Sequence, residues 1–175
     1  STVMANKLAK LYGVDVYETG VGFKYVAPEM LRVNALLGGE ESGGLSVKGH
    51  VPEKDGVLAC LLMAELAAYE GRPLKRVLAE IQKQAGTIVS DRINLRVTPQ
   101  RKEELLARFA GGLSEFAGRR VQETITKDGY KFLLGDGCWV MFRASGTEPV
   151  FRCYLEARSG KQLGELRAAA LRMVQ

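Results

Sequence analysis

The chain has 175 residues, 46% of them apolar, with 25 Lys and Arg against 20 Asp and Glu and a formal net charge of +5. This length and composition permit one large domain or two small ones with buried cores, and exclude a disordered or fibrous chain. The apolar stretch over 57–68 is interrupted by Glu65 and too short to span a bilayer, and the N-terminus lacks the basic-then-apolar profile of a secretory leader. A soluble cytoplasmic protein with no membrane partner is therefore expected.

Cys60, Cys138 and Cys153 are odd in number and form no Cys-x-x-Cys pair. Neither a disulfide framework nor a zinc site is indicated, and all three are expected as buried reduced thiols. The positive charge is compatible with nucleic acid, a membrane surface or small acidic ligands. No run of like charge decides between them, because Arg101-Lys102-Glu103-Glu104 and similar stretches read as solvated helix faces.

Val3, Leu8 and Leu11 recur at helical spacing, which predicts a helix over 2–12 stopped by Gly13. Residues 14–19 alternate as a short strand, 20–24 form a glycine-containing turn, 28–32 a short helix, and Ala35-Leu36-Leu37 a buried strand leading into a glycine-rich loop. Asp55 caps a helix over 56–69 whose apolar residues lie almost all round, which predicts burial against a sheet and a further element. Pro73 opens another helix and Gly86 closes it. This succession predicts a layered αβα unit over residues 1–90, without its first strand because the leading helix has none before it.

Beyond residue 90 the period changes. Ile93, Leu95 and Val97 alternate, Thr98-Pro99 starts a helix to about residue 109, and strands over 121–126, 130–134 and 139–142 are separated by Lys127-Asp128-Gly129 and Gly135-Asp136-Gly137. A strand over 150–157 and an amphipathic helix over 163–174 end the chain. Residues 91–175 thus read as an α+β domain, an antiparallel sheet with helices on one face.

Three segments concentrate chemistry. Gly38-Gly39-Glu40-Glu41-Ser42-Gly43-Gly44 strings carboxylates and a hydroxyl between glycines, and a carboxylate beside a hydroxyl can take two adjacent sugar hydroxyls. In His50-Val51-Pro52-Glu53-Lys54-Asp55-Gly56, Lys54 stands just before a helix N-terminus, a place that favours an anion. Arg143-Ala144-Ser145-Gly146-Thr147-Glu148-Pro149 packs a guanidinium, two hydroxyls and a flexible backbone N–H between two strands, a composition suited to a phosphate dianion. Each alone is compatible with a solvated turn.

In this order the three segments resemble signature loops of the α-D-phosphohexomutase superfamily, the phosphoglucomutases, phosphomannomutases and relatives, across nearly the whole chain. The resemblance implies most of domain three followed by domain four of a four-domain enzyme. That family's phosphoserine loop, Thr-Ala-Ser-His-Asn-Pro, and its magnesium loop, Asp-Gly-Asp-x-Asp-Arg, have no counterpart here. The resemblance therefore implies that Mg²⁺ and its ligands belong to missing N-terminal domains, and that this chain alone is inactive.

It further implies that Glu40 and Ser42 contact the sugar ring, and that Lys54 reaches the reacting phosphoryl group with His50 close by. Arg143, Ser145, Gly146 and Thr147 would hold the phosphate that is not being transferred. Arg152 would add a second guanidinium. Gly22-Phe23-Lys24 resembles a Thr-x-x-Gly-x-Lys segment of the same family and brings Lys24 to the sugar. The implied partners are glucose 1-phosphate, glucose 6-phosphate and glucose 1,6-bisphosphate. Gly-Glu-Glu-Ser-Gly-Gly looks more like the phosphoglucomutase branch than the Gly-Glu-Met-Ser-Gly-His of many phosphomannomutases; phosphomannomutase and phosphoglucosamine mutase are the alternatives. Two rivals of another class are a basic nucleic-acid-binding module stacking bases on Tyr130, Phe132, Trp139 and Phe142, and a non-catalytic phosphosugar-binding module.

Overall fold

A computed structural model describes residues 2–145 and 150–174. The chain forms two compact units, residues 1–86 and 87–175. Val89 and Ser90, placed with the first unit by the sequence pattern, pair with Ala157 and Glu156 in the sheet of the second.

The first unit contains α1 (Val3–Tyr12), α2 (Phe23–Val33), β1 (Leu37–Gly39), β2 (Leu45–Val47), α3 (Gly56–Glu70) and α4 (Leu74–Ala85). Thr2 caps α1 through its hydroxyl, and Gly13 ends the helix in the left-handed region at φ 65°. Helices α1 and α4 are tied by Lys7 Nζ donating to the Ala85 carbonyl at 2.9 Å and Tyr12 Oη donating to Gln84 Oε1 at 2.6 Å. The small core of this unit is Phe23, Val26 and Met30 on one face of α2. Strand β1 lies directly on that face, so a Cβ at Gly38 would come within 2.1 Å of Met30 Sδ and 2.8 Å of Val26 Cγ1. Only glycine fits there.

Five expectations for this unit require correction. Residues 14–19 form no strand, because their alternation meets no partner chain; Val14, Val16 and Tyr17 are exposed, and Tyr17 is instead met by the Arg32 guanidinium 5.8 Å from its ring centroid. Helix α2 begins at Phe23 rather than at Pro28. Gly22 at φ 119° turns the chain into it and Pro28 is tolerated within it. The segment 35–37 is not a buried strand: β1 is three residues long, and Leu36 and Leu37 are exposed. Helix α3 has the expected extent, but none of its residues is buried, since the strand that packs on it, β2, is three residues long and cannot cover fifteen. Cys60, on this helix, is accordingly exposed, whereas Cys138 and Cys153 are buried as expected.

The second unit contains β3 (Val89–Arg96), α5 (Pro99–Ala110), β4 (Glu115–Phe116), β5 (Arg119–Ile125), β6 (Tyr130–Leu134), β7 (Trp139–Ala144), β8 (Val150–Ala157) and α6 (Gly160–Val174). Its six strands form one antiparallel sheet in the order β3-β8-β7-β6-β5-β4. Strand β4 escapes the sequence pattern because it is two residues long; it turns into β5 through Ala117 and Gly118, both at positive φ, as a tight hairpin requires. One sheet face, carrying Ile93, Leu95, Phe132, Val140, Phe142, Phe151 and Cys153, packs against Leu105 and Phe109 of α5 and Leu166 and Ala170 of α6. Phe109 stacks on Phe142 at 4.7 Å between ring centroids. Phe132 and Phe142 are fully buried, Trp139 nearly so with Nε1 donating to Glu156 Oε1 at 2.9 Å, and Tyr130 packs on the same core. These rings are therefore core and offer no base-stacking platform.

Candidate functional site

The glycine-rich segment forms the turn of the β1–β2 hairpin. Leu37, Gly38 and Gly39 pair with Val47, Ser46 and Leu45, and the turn closes with Glu40 N–H donating to the Gly44 carbonyl at 2.8 Å and Gly43 N–H to the Glu40 carbonyl at 3.1 Å. Gly43 sits at φ 91°, where a side chain would be strained. Glu40 is half-buried and Ser42 exposed at the turn.

The segment 48–55 folds back on this hairpin. Ser46, fully buried, donates its hydroxyl to the Val51 carbonyl at 2.7 Å, and Asp55 N–H donates to the Leu45 carbonyl at 3.0 Å. These bonds bring Lys54 over the glycine turn. A Cβ at Gly44 would lie 3.2 Å from Lys54 Cβ, 3.4 Å from Lys54 Cδ and 3.6 Å from Glu40 Oε2. Glu40 and Lys54, from two separate motifs, thus flank one glycine. Lys54 Nζ is 3.0 Å from Glu53 Oε1 and 6.0 Å from the Phe23 ring centroid, which places the start of α2 beside it. Lys24 is exposed in the first turn of α2, its Nζ 4.9 Å from the Tyr25 ring centroid.

Asp55 has two tasks. Its Oδ1 accepts from Val57 N–H at 2.9 Å and Leu58 N–H at 3.0 Å, capping α3, while its Oδ2 lies 3.0 Å from His50 Nε2. The Leu58 N–H and then the His50 ring hold its carboxyl below the ordinary carboxylate value. In the neutral ring this contact protonates Nε2 and leaves Nδ1 as the acceptor. The capping role of Asp55 is visible in the sequence, whereas its grip on His50 needs the folded loop.

In the second unit, Arg143 lies near the end of β7, Ser145 follows that strand directly, and Arg152 lies on β8. Gly146 and Thr147 lie outside the described residues. The base of this loop is closed by Ser145 N–H donating to the Val150 carbonyl at 2.8 Å, and Lys102 Nζ of α5 donates to the Ser145 carbonyl at 2.6 Å. Arg143 and Arg152 are directly opposite in the β7–β8 register, so both project from the sheet face away from the helices. Arg143 Nε is 3.3 Å from Asp128 Oδ2 in the β5–β6 turn. The pairing of the two arginines is invisible in the sequence, which gives their spacing but not the register.

Among the described residues no group of three His, Cys, Asp or Glu is placed to hold a metal ion. The described residues therefore do not by themselves form a Mg²⁺ site. Likewise, no helix of the described residues is long and apolar enough to cross a membrane.

Comparison with known proteins agrees with both halves. Residues 1–85 match the family model described as phosphoglucomutase/phosphomannomutase, alpha/beta/alpha domain III, and residues 93–173 the one described as phosphoglucomutase/phosphomannomutase, C-terminal domain. A phosphoglucomutase/phosphomannomutase of Thermococcus kodakarensis is 30% identical over 98% of this chain and 36% of its own length. A phosphoglucosamine mutase of Methanocaldococcus jannaschii is 31% identical over 100% of this chain and 37% of its own. The crystal structure of a Thermus thermophilus protein assigned as a phosphomannomutase superposes with a TM-score of 0.78 at 33% identity, covering 99% of this chain and 34% of that one. The chain thus spans about a third of the length of these relatives, and their names differ in the sugar. Motif order, fold and both family matches agree that the chain belongs to the phosphoglucomutase/phosphomannomutase family of phosphohexomutases, of which it carries the domain III and C-terminal domain parts.

Proposed function

We propose that this chain supplies the sugar-gripping and phosphate-gripping parts of a phosphohexomutase that interconverts a hexose 1-phosphate and its 6-phosphate through a bisphosphorylated intermediate, and that the hexose is glucose. The observation that carries this reading is the meeting of Glu40 and Lys54 at Gly44, which sets an acceptor for sugar hydroxyls beside a mobile ammonium. In this reading Glu40 and Ser42 take ring hydroxyls, with Lys24 nearby. Lys54 meets the reacting phosphoryl group and assists proton transfer at the sugar oxygen, with His50, held by Asp55, close by. Arg143, Ser145, Gly146, Thr147 and Arg152 seat the other phosphate. A fixed phosphate seat serves such a reaction because either end of the bisphosphate must present the same geometry to the reacting centre.

The Gly-Glu-Glu-Ser-Gly-Gly turn supports glucose over mannose; the glucosamine phosphate reading is favoured instead by the phosphoglucosamine mutase relatives. Phosphoryl transfer also needs a phosphoryl donor and the metal-assisted electrostatics of this chemistry. The purified 175-residue chain is therefore expected to show no mutase activity. Titration with glucose 1-phosphate and with inorganic phosphate tests the division of roles. Arg143→Ala should weaken both by roughly 2 kcal/mol, and Ser42→Ala should weaken only the sugar phosphate. Loss of inorganic phosphate binding in Ser42→Ala with none in Arg143→Ala would contradict the assignment.

A further inference from the structure

The exposed face of the second-unit sheet carries more positive charge than Arg143 and Arg152 alone. In the β3–β8 register Asn94 lies directly opposite Arg152 and Arg96 opposite Val150. Arg152 is therefore flanked by Arg143 on β7 and by Asn94 on β3, with Arg96 diagonally adjacent at the loop end of the sheet. Side chains so placed are within reach of one another. Asn94, Arg96, Val150 and Arg152 line a recess of about 210 Å³. At about 30 Å³ per water, that volume admits a tetrahedral oxyanion with solvent around it.

The charges here are poorly compensated. Arg143 is met by Asp128, but neither Arg96 nor Arg152 has a carboxylate partner among the described residues. The two nearest carboxylates of β3 and β8 are turned to other work, Asp91 pairing with Arg167 of α6 and Glu156 accepting from Trp139. Like charges at neighbouring cross-strand positions repel, and a bound dianion reverses that cost. Two guanidinium forks and a side-chain amide around one recess supply the donors that a phosphate requires.

We propose that this recess is an anion seat in which Arg96 and Asn94 act together with Arg152, so that the phosphate of a hexose phosphate is held from β3 as well as by Arg143 and Arg152 of β7 and β8. The proposal rests on the reading of Arg143 and Arg152 as phosphate-binding, and it adds two ligands that the loop motif does not contain. Because Arg96 and Asn94 are both exposed, replacing them leaves the core untouched.

The test is titration of the intact chain with inorganic phosphate and with glucose 1-phosphate at low ionic strength, comparing wild type with Arg96→Gln, Arg96→Lys, Arg143→Gln and Arg92→Gln. Arg92 is a guanidinium on the same strand and face, but outside the recess. Arg96→Gln should weaken both ligands by about tenfold, in line with loss of one charge-assisted contact. Arg96→Lys should recover part of this and Arg92→Gln should change little. An affinity for inorganic phosphate that falls while that for glucose 1-phosphate does not would mean that the recess takes free phosphate only, and would overturn the proposal. If Arg143→Gln weakens binding and Arg96→Gln does not, the recess proposal fails and the loop reading stands. Weakening by Arg96→Gln alone would refute the loop reading and with it the joint seat, leaving the anion held from β3 and Arg152 only, and no effect from either would refute both.

Discussion

Gly38 shows how a single residue sets the geometry of the first unit. With no side chain it lets β1 rest on Met30 and Val26, and the hairpin carrying Glu40 and Ser42 is positioned by that contact. Gly38→Ala forces Met30 and Val26 to move and should destabilise the first unit by about 1–3 kcal/mol, measurable by urea unfolding. In the second unit, Arg119 donates to Asp136 at 2.6 Å, to Glu165 at 2.5 Å and to the Ala117 carbonyl at 2.8 Å, joining two turns to α6. Burial acts to raise the Asp136 carboxyl, and the bonds from Arg119 and the Cys138 N–H outweigh it, so its pKa lies below the ordinary value. The folded state thus binds this proton less well than the unfolded chain. The stabilisation is present above the ordinary carboxylate pKa of about 4 and disappears as pH falls through the lower folded value. Asp136→Asn should flatten that acid limb in a plot of stability against pH. The same burial, together with Asp136, pushes the Cys138 thiol up to about 11, and burial pushes Cys153 higher. A disulfide-exchange reagent should therefore modify exposed Cys60 promptly, and the other two only on unfolding.

Among the elements, α3 departs most from its sequence pattern. An all-round apolar helix reads as buried, yet Val57 is 71% exposed, Leu61 63% and Tyr69 91%. Leu61→Gln should accordingly change the stability of this chain by no more than about 0.5 kcal/mol, whereas Leu166→Ala in α6, fully buried, should cost about 2–5 kcal/mol. Local signals that act through the backbone were legible: Gly13 and Asp55 as caps, Lys127-Asp128-Gly129 as a hairpin turn, and the alternation of β3 and β8. Alternation over 14–19 misleads because a strand needs a partner that its own sequence cannot name. Pro28 misleads because a proline inside a helix looks like its start. Of the candidate site, the three motifs stand in the sequence. The contact of Lys54 with Gly44 and the alignment of Arg143, Arg152, Asn94 and Arg96 across three strands depend on folding and register, which no single segment encodes.

For the whole molecule, the central proposal is a division of roles in which residues 1–86 supply the sugar-binding groups and residues 87–175 the phosphate-binding groups. Amide chemical-shift mapping during titration tests this most directly, because it reports on every segment at once. Glucose 1-phosphate should shift the amides of residues 40–44 and 54 together with those of 94–96, 143–145 and 150–152, while inorganic phosphate should shift only the second set. Shifts confined to other segments with either ligand, or inorganic phosphate acting at 40–44 and leaving 143–152 unchanged, would contradict the account.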